Sequence, residues 1–492
     1  MKDKQKKLSR RELIRSASVA GSLMLAQSSA IGSLLTGSRV ASASTKGRAL
    51  DADVIIIGAG LAGLQAASLL EDEGARVLVI EASHRIGGRV HTLDTVDGRP
   101  EAGGSEVGSG YARTLSMLNR IGSPPTYKWA DSIQLPFALH VKGKLIDPAI
   151  WDKSELNDLA VNERTSFGMG PFALAQIFLP RPNPLEDLTS WMDPQHASLD
   201  IPFDVWLRGR GVSDAALRYL DAIVSADSTK DISALWQIRN AKVSPLMGSV
   251  DSLRSLVAGM SRLPEGMRGL LKGDVRLDSP VTAIRDRGDH MEVIVRGRRT
   301  LRAERVICTV PLPVLRGIRI EPGLPALQQE AVDKIPYTRG LSVFFRIDKP
   351  YWDEDGFPAS TWTLGPLGRV FRHAKSDGGY YLWNFKSGLS ARGYEKLTDK
   401  EAGDRALREF IAVRPSVEGR IAPIAVTSWD RNPWTLGHLP YRAPGQIAKF
   451  GRILGAAHGR LHFAGDHTAV LMTGMEGAME SGERAALEVL QS

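Results

Sequence analysis

The stretch that most limits the fold begins at residue 54. Val54-Ile55-Ile56-Ile57 is a continuous β-branched run of the kind buried on both faces of a parallel sheet. It passes without a spacer into Gly58-Ala59-Gly60-Leu61-Ala62-Gly63. Helical spacing over 64–70 follows and ends at Glu73-Gly74, and a second apolar run, Val77-Leu78-Val79-Ile80, closes on Glu81. Strand, spaced glycines, helix, strand and terminal acid in this order predict a β-α-β unit for a dinucleotide. Gly58 allows the tight turn, Gly60 lets a pyrophosphate approach the backbone, and Gly63 lets helix and strand pack closely. The free N–H groups of the helix start then face the phosphates. Glu81 is placed to accept from ribose hydroxyls, which argues against a 2′-phosphate and so against NADP.

The net charge of +8 over 492 residues suggests nucleic acid until it is located. Residues 1–48 hold ten Lys and Arg against Asp3 and Glu12, an excess equal to the whole net charge. The neutral body has no basic footprint for phosphates, so no nucleic-acid partner is expected. Residues 8–15 read Leu-Ser-Arg-Arg-Glu-Leu-Ile-Arg; an uncharged Ala/Ser/Gly/Leu-rich stretch and Ala41-Ser42-Ala43 follow. This segment resembles a twin-arginine export signal over 1–43, which implies a periplasmic or secreted protein exported folded. The run is too diluted by Ser, Gly and Gln27 for a good spanning helix. The single cysteine, Cys308, rules out an intrachain disulfide and a Cys-rich metal site. No metal-ligand spacing and no Ser–His–Asp set is visible.

Strand patterns return at 292–295, 306–310, 341–345 and 380–385. The middle, about 130–250, reads as mostly helical. The C-terminal end is again strand, turn and helix, with the helix expected over about 477–490.

Directly after Glu81 comes Ala82-Ser83-His84-Arg85-Ile86-Gly87-Gly88-Arg89, and with its Arg85–Arg89 part the chain resembles the flavin-containing amine oxidases, which include monoamine and L-amino acid oxidases. The resemblance extends through Glu101-Ala102-Gly103-Gly104-Ser105, Ser279-Pro280-Val281-Thr282, Ile307-Cys308-Thr309-Val310-Pro311, Phe463-Ala464-Gly465-Asp466-His467-Thr468 and Met475-Glu476-Gly477-Ala478. It implies FAD, held by Gly58, Gly60, Gly63, Glu81, Arg85, Gly87, Gly88, Arg89, Gly103, Gly104, Val281, Gly465, Asp466 and Met475. It implies an α/β fold: a Rossmann-like FAD-binding domain in three segments (50–130, 246–320, 426–492) with an interleaved α+β substrate domain (131–245, 321–425). Cys308 sits on an expected buried strand far from the family's flavin-linking cysteine, so the flavin is expected to be non-covalent. A histidyl link through His438 is the rarer alternative.

Three departures from the family pattern bear on catalysis. Where the family commonly has a lysine that bridges to the flavin through water, an ungapped count back from Tyr351-Trp352 gives Ser342. The ring that usually precedes the Met-Glu-Gly-Ala stretch is missing from Leu471-Met472-Thr473-Gly474, which leaves Tyr441 as the candidate ring and Trp429 as a candidate beside the flavin. Where L-amino acid oxidases place an arginine for the substrate carboxylate, Glu106 stands, a group that attracts an ammonium and repels a carboxylate. The expected activity is oxidation of an amine C–N bond to an imine that water hydrolyses. The electrons go to dioxygen, or to a cytochrome or quinone if Ser342 suppresses the oxygen reaction. An L-amino acid oxidase, a flavin-dependent desaturase and a non-catalytic flavin-bearing assembly factor stay open, as does a homodimer.

Overall fold

The computed structural model describes residues 50–164, 172–375 and 379–492; the leader and its paired arginines lie outside the described residues. The β-branched run forms the strand Ala52–Ile57, flanked in parallel by Val77–Ile80 and by Leu301–Cys308. Val54 to Ile57 are all buried, as an uninterrupted apolar run requires of a strand covered on both sides. The sheet continues to eight strands in the order Arg319–Glu321, Val281–Asp286, Met291–Val295, Leu301–Cys308, Ala52–Ile57, Val77–Ile80, Val275–Arg276, with Leu461–Phe463 paired to Leu301–Cys308. Its strands come from three separated parts of the chain.

The helix Leu61–Asp72 starts directly after Gly60 and is buried over most of its circumference. Leu64 and Ala67 share one core with Met479, Ala485 and Ala486 of the C-terminal helix Gly474–Gln491. Burying a side chain such as Leu64 contributes about 1.5–3 kcal/mol, so this helix pair ties two sequence-distant segments to one sheet face. Ile55, Ile57, Leu78 and Ile80 fill the other face with Val293, Val306 and Phe463.

A second, seven-stranded sheet runs Ile421–Ser428, Gly340–Ile347, Tyr380–Ser387, Arg369–Ala374, Thr361–Thr363, Ala138–Val141, Lys144–Ile146. The two-residue period of a strand divides its faces. Leu341, Val343, Phe345, Val370 and Leu382 pack against Ala402, Ala406 and Phe410 of the helix Asp399–Val413. Ser342, Phe344, Phe371, Tyr381, Trp383 and Phe385 therefore belong to the opposite face.

The middle segment departs from the expected mostly helical pattern. It gives the helices Phe203–Arg208, Asp214–Asp221 and Ala234–Met247 around Trp151, Trp191, Trp206 and Trp236. It also gives the strands Ala138–Val141 and Lys144–Ile146. Strands of 4 and 3 residues carry little periodicity; pairing of the first with Thr361–Thr363, more than 200 residues away in sequence, is what sustains them. No helix among the described residues is long and apolar enough to cross a membrane.

Candidate active site

The two longest glycine-flanked helix starts converge on the first sheet. Neither Leu61–Asp72 nor Gly474–Gln491 has a side-chain cap, so their first N–H groups are left for another acceptor. A Cβ at Gly63 would stand 2.0 Å from the Gly58 carbonyl, so only glycine lets the helix lie on the turn that feeds it. Gly60 pairs with Gly87 as a bridge and lies beside Gly88, which brings the two glycine loops together with no side chain between them. Glu81 is buried, and its carboxylate accepts the N–H groups of Ala59 and Ser83, both at 2.8 Å. Burial pushes its pKa up. Ser279 N–H donates to the Glu81 carbonyl at 2.8 Å, which sets Val281 at the start of its strand close to the acid.

The two arginines of the Arg85–Arg89 motif do different things. Arg85 donates to the carbonyls of Ile86, Gly88 and Val90 at 3.1, 2.6 and 3.2 Å and staples its own loop. Arg89 forms a two-point ion pair with Asp466 at 2.5 and 3.1 Å and also donates to the His438 carbonyl at 2.5 Å. Burial alone would raise the Asp466 pKa, but the adjacent Arg89 and His467 outweigh it and hold the carboxyl far below the usual carboxylate range. Gly465 precedes it, its N–H bonded to the Ser481 hydroxyl at 2.8 Å. A Cβ at Gly103 would stand 1.8 Å from the Arg89 carbonyl and 3.0 Å from the Trp429 ring, and one at Gly104 2.7 Å from Met475 Sδ. The fold thus brings residues 85–89, 103–104, 429, 465–466 and 475 together from three distant parts of the chain. Uncapped helix starts beside glycine-lined backbone are the donors a diphosphate and a ring carbonyl accept from, so the cradle fits FAD.

On the second sheet Ser342 is buried, and its Oγ accepts the indole N–H of Trp383 at 2.9 Å. A row of rings runs along this face: His438 to Phe385 at 5.8 Å, Phe385 to Trp383 at 5.2 Å, Trp383 to Phe371 at 5.3 Å and to His373 at 5.5 Å. The row begins at His438, whose carbonyl is on Arg89, so it starts at the cradle. Trp429 is buried and donates to the Ala102 carbonyl at 3.0 Å. Glu106 follows the glycine pair, with its Oε2 accepting from the Ser105 hydroxyl. Burial pushes its pKa up. Glu101, bonded to Thr92 and to Met260 N–H, is likewise pushed up to about 7 by burial. Tyr441 is turned elsewhere: it lines a cavity of about 360 Å³ with Asp227, Arg339, Glu395 and Asp430, and that lining includes neither Ser342, Glu106 nor Trp429.

The sequence model of the family described as flavin containing amine oxidoreductase matches residues 61–490. The chain belongs to that family. It is 28% identical over 462 residues to amine oxidase [flavin-containing] B of Canis lupus familiaris and to the same enzyme of Homo sapiens, covering 89% of this chain and 86% of each relative. Among solved structures, cyclohexylamine oxidase from Brevibacterium oxydans IH-35A shares the fold with TM-score 0.71 and 24% identity, over 90% of this chain and 99% of that one. Wild-type putrescine oxidase bound to putrescine gives 0.70 and 22% over 90% and 99%. The protein is accordingly an FAD-dependent oxidoreductase acting on amines, with the mixed α/β fold expected of it.

Several supporting residues at this site have no role assigned to them from the sequence. Thr309, whose hydroxyl donates to the Ile57 carbonyl at 2.9 Å, sits where the first strand turns into Gly58. The buried arginines Arg239 and Arg442 support the turn after Asp466 from a segment with no dinucleotide pattern.

Proposed function

We propose that the protein is exported through its twin-arginine-type leader and oxidises the C–N bond of an amine in preference to an α-amino acid. FAD, held by the glycine loops at Gly58–Gly63 and Gly87-Gly88 and by the start of Gly474–Gln491, would supply the two-electron acceptor for the carbon next to nitrogen. The observation that carries the amine preference is Glu106, a carboxylate two residues beyond the Gly103-Gly104 backbone that Trp429 and Met475 enclose. There it holds a substrate ammonium and repels a carboxylate. Its raised pKa favours uptake of a proton from the substrate ammonium by the carboxylate, and this frees the nitrogen lone pair. The ring row from Phe385 to Phe371 offers an apolar wall for the carbon body. Water hydrolyses the imine after release.

Ser342 supports a respiratory acceptor, a cytochrome or quinone, over dioxygen. Its hydroxyl is already engaged by Trp383, and it brings no positive charge to the reduced cofactor. Anaerobic mixing with amines, then with air-saturated buffer, tests both parts by flavin absorbance. The expected result is bleaching by amines but not by the matching amino acids, followed by slow reoxidation that Ser342→Lys speeds at least tenfold. Bleaching by amino acids alone would sink the Glu106 reading, and fast wild-type reoxidation with peroxide would sink the Ser342 reading. Absence of any bleaching would favour a flavin-bearing binding protein. A mature N-terminus beginning close after Ala43, found by N-terminal sequencing of exported protein, checks the leader; a homodimer is the assembly we propose, checked by sedimentation.

A further inference from the structure

The turn that follows Asp466 is gripped from two sides by buried charged groups. Glu480, on the helix Gly474–Gln491, gathers three consecutive backbone N–H groups: Val470 at 2.8 Å, Leu471 at 3.0 and 3.1 Å, and Met472 at 2.8 Å. The carbonyls of the same turn point to other partners. Val470 O accepts the indole N–H of Trp191 at 3.0 Å and Arg239 at 3.4 Å, and Met472 O accepts Arg239 at 2.8 Å. His467 O accepts Arg442 at 2.9 Å.

Both arginines are deeply buried, Arg239 at 1% exposure and Arg442 at 5%. Arg239 lies 5.4 Å from the Trp191 ring centre and 5.0 Å from that of Trp236, and Arg442 lies 5.4 Å from Trp236. Among the described residues neither forms an ion pair; Arg239 Nε and Arg442 Nη1 have no hydrogen-bond partner. Two desolvated guanidinium groups are a costly way to hold a turn that apolar packing could hold. The turn they hold leads straight into the uncapped start of Gly474–Gln491, opposite Gly104. The other end of the grip is the helix Ala234–Met247, which carries Trp236 and Arg239 and whose cap Ser233 donates its N–H to the Arg442 carbonyl at 2.9 Å.

We infer that Arg239, with Arg442 beside it, couples docking of the helix Ala234–Met247 to FAD affinity by fixing the 467–472 turn. The inference rests on the FAD assignment. The N–H groups of 470–472 are taken up by Glu480, so the donors left for the cofactor are those of the helix start, and the turn sets their direction. Arg239 is a positioning residue. Because coupling is reciprocal, FAD must protect Ala234–Met247 by the same factor by which that helix tightens FAD.

The test uses full-length protein, deflavinated and titrated with FAD, with hydrogen exchange followed with and without FAD. In the wild type FAD is expected to slow exchange over 234–247. Arg239→Met is expected to weaken FAD binding at least tenfold and to erase that protection, and Arg239→Lys to recover most of both. An FAD affinity within twofold of wild type in Arg239→Met, or protection that persists in it, would overturn the coupling while leaving the cofactor assignment standing. Wild-type protein that takes up no FAD would overturn both. Should Arg239→Met not fold, Trp191→Phe, which removes one bond to Val470 O, is expected to weaken FAD about threefold with partial loss of protection; no change in either overturns the inference.

Discussion

At Gly63 and Gly103 the cradle brings main-chain oxygens within 2.0 and 1.8 Å of where a Cβ would stand. On the second sheet, Ser342, Phe371, Trp383 and Phe385 meet through side chains, with ring centres 5.2 and 5.3 Å apart and one indole hydrogen bond. The first region recognises its ligand with backbone, which no side-chain replacement can reshape without moving the chain. The second is built of side chains, each of which can change alone, and in the function proposed above it faces the substrate. A cofactor common to a family belongs on the first kind of surface and a substrate particular to one member on the second.

The largest effect expected from breaking this comparison is at Gly63. In Gly63→Val the new atoms fall on the Gly58 carbonyl, and either helix or strand must shift. The cost is put at about 5 kcal/mol or more, in the exceptional tail of single substitutions, because the clash is with main chain. Soluble holoprotein should fall below a tenth of the wild-type yield, read as flavin absorbance per mole of purified chain. Normal yield and normal flavin content would mean that the cradle yields as side chains do.

The legibility of the sequence follows the same division. Backbone recognition demands glycines at fixed spacing after a strand, so residues 54–63 could be read directly, while Arg85–Arg89 and Gly103-Gly104 were read through the family resemblance. Ser342 and Trp429 were reached only by counting along a family pattern. Tyr441 was chosen for proximity in sequence, yet its backbone pairs with Pro336 and its ring belongs to the Asp227–Asp430 cavity. Alternation of Tyr381, Trp383 and Phe385 puts three rings on one face of a strand, where core is a better expectation than a pocket wall; the helix Asp399–Val413 instead packs on the opposite face, against Leu382. Arg239 acts on a turn more than 200 residues away, through contacts that no local spacing encodes.

Asp466 stands between the two regions and gives an intermediate effect. Its pair with Arg89 is nearly buried, with 4% of the Asp466 side chain exposed. Removing one partner of such a pair leaves an uncompensated charge and costs about 3–5 kcal/mol. Asp466→Asn should lose roughly that in urea unfolding at neutral pH. The sign with pH follows from the depressed carboxyl: its stabilisation is complete above the ordinary pKa of 3.8 and is lost as pH falls towards the lower folded value. The difference between wild type and variant should therefore shrink below pH 4. A difference constant from pH 7 to pH 3 would mean that the pair contributes through packing instead of charge.

The smallest effect sharpens the comparison most. Trp383→Phe keeps an aromatic ring in the row but removes the donor to Ser342 Oγ. One neutral hydrogen bond is worth about 0.5–1.5 kcal/mol, and the serine hydroxyl can turn to another partner, so stability should fall by about 1 kcal/mol. If the second sheet recognises substrate alone, FAD affinity should stay within twofold while kcat/KM for the preferred amine drops about tenfold, or about 1.4 kcal/mol of transition-state stabilisation. A loss split equally between FAD affinity and kcat/KM would mean that the ring row reaches the cofactor itself. The contact of Phe385 with His438, and of the His438 carbonyl with Arg89, is the route by which such a loss would travel.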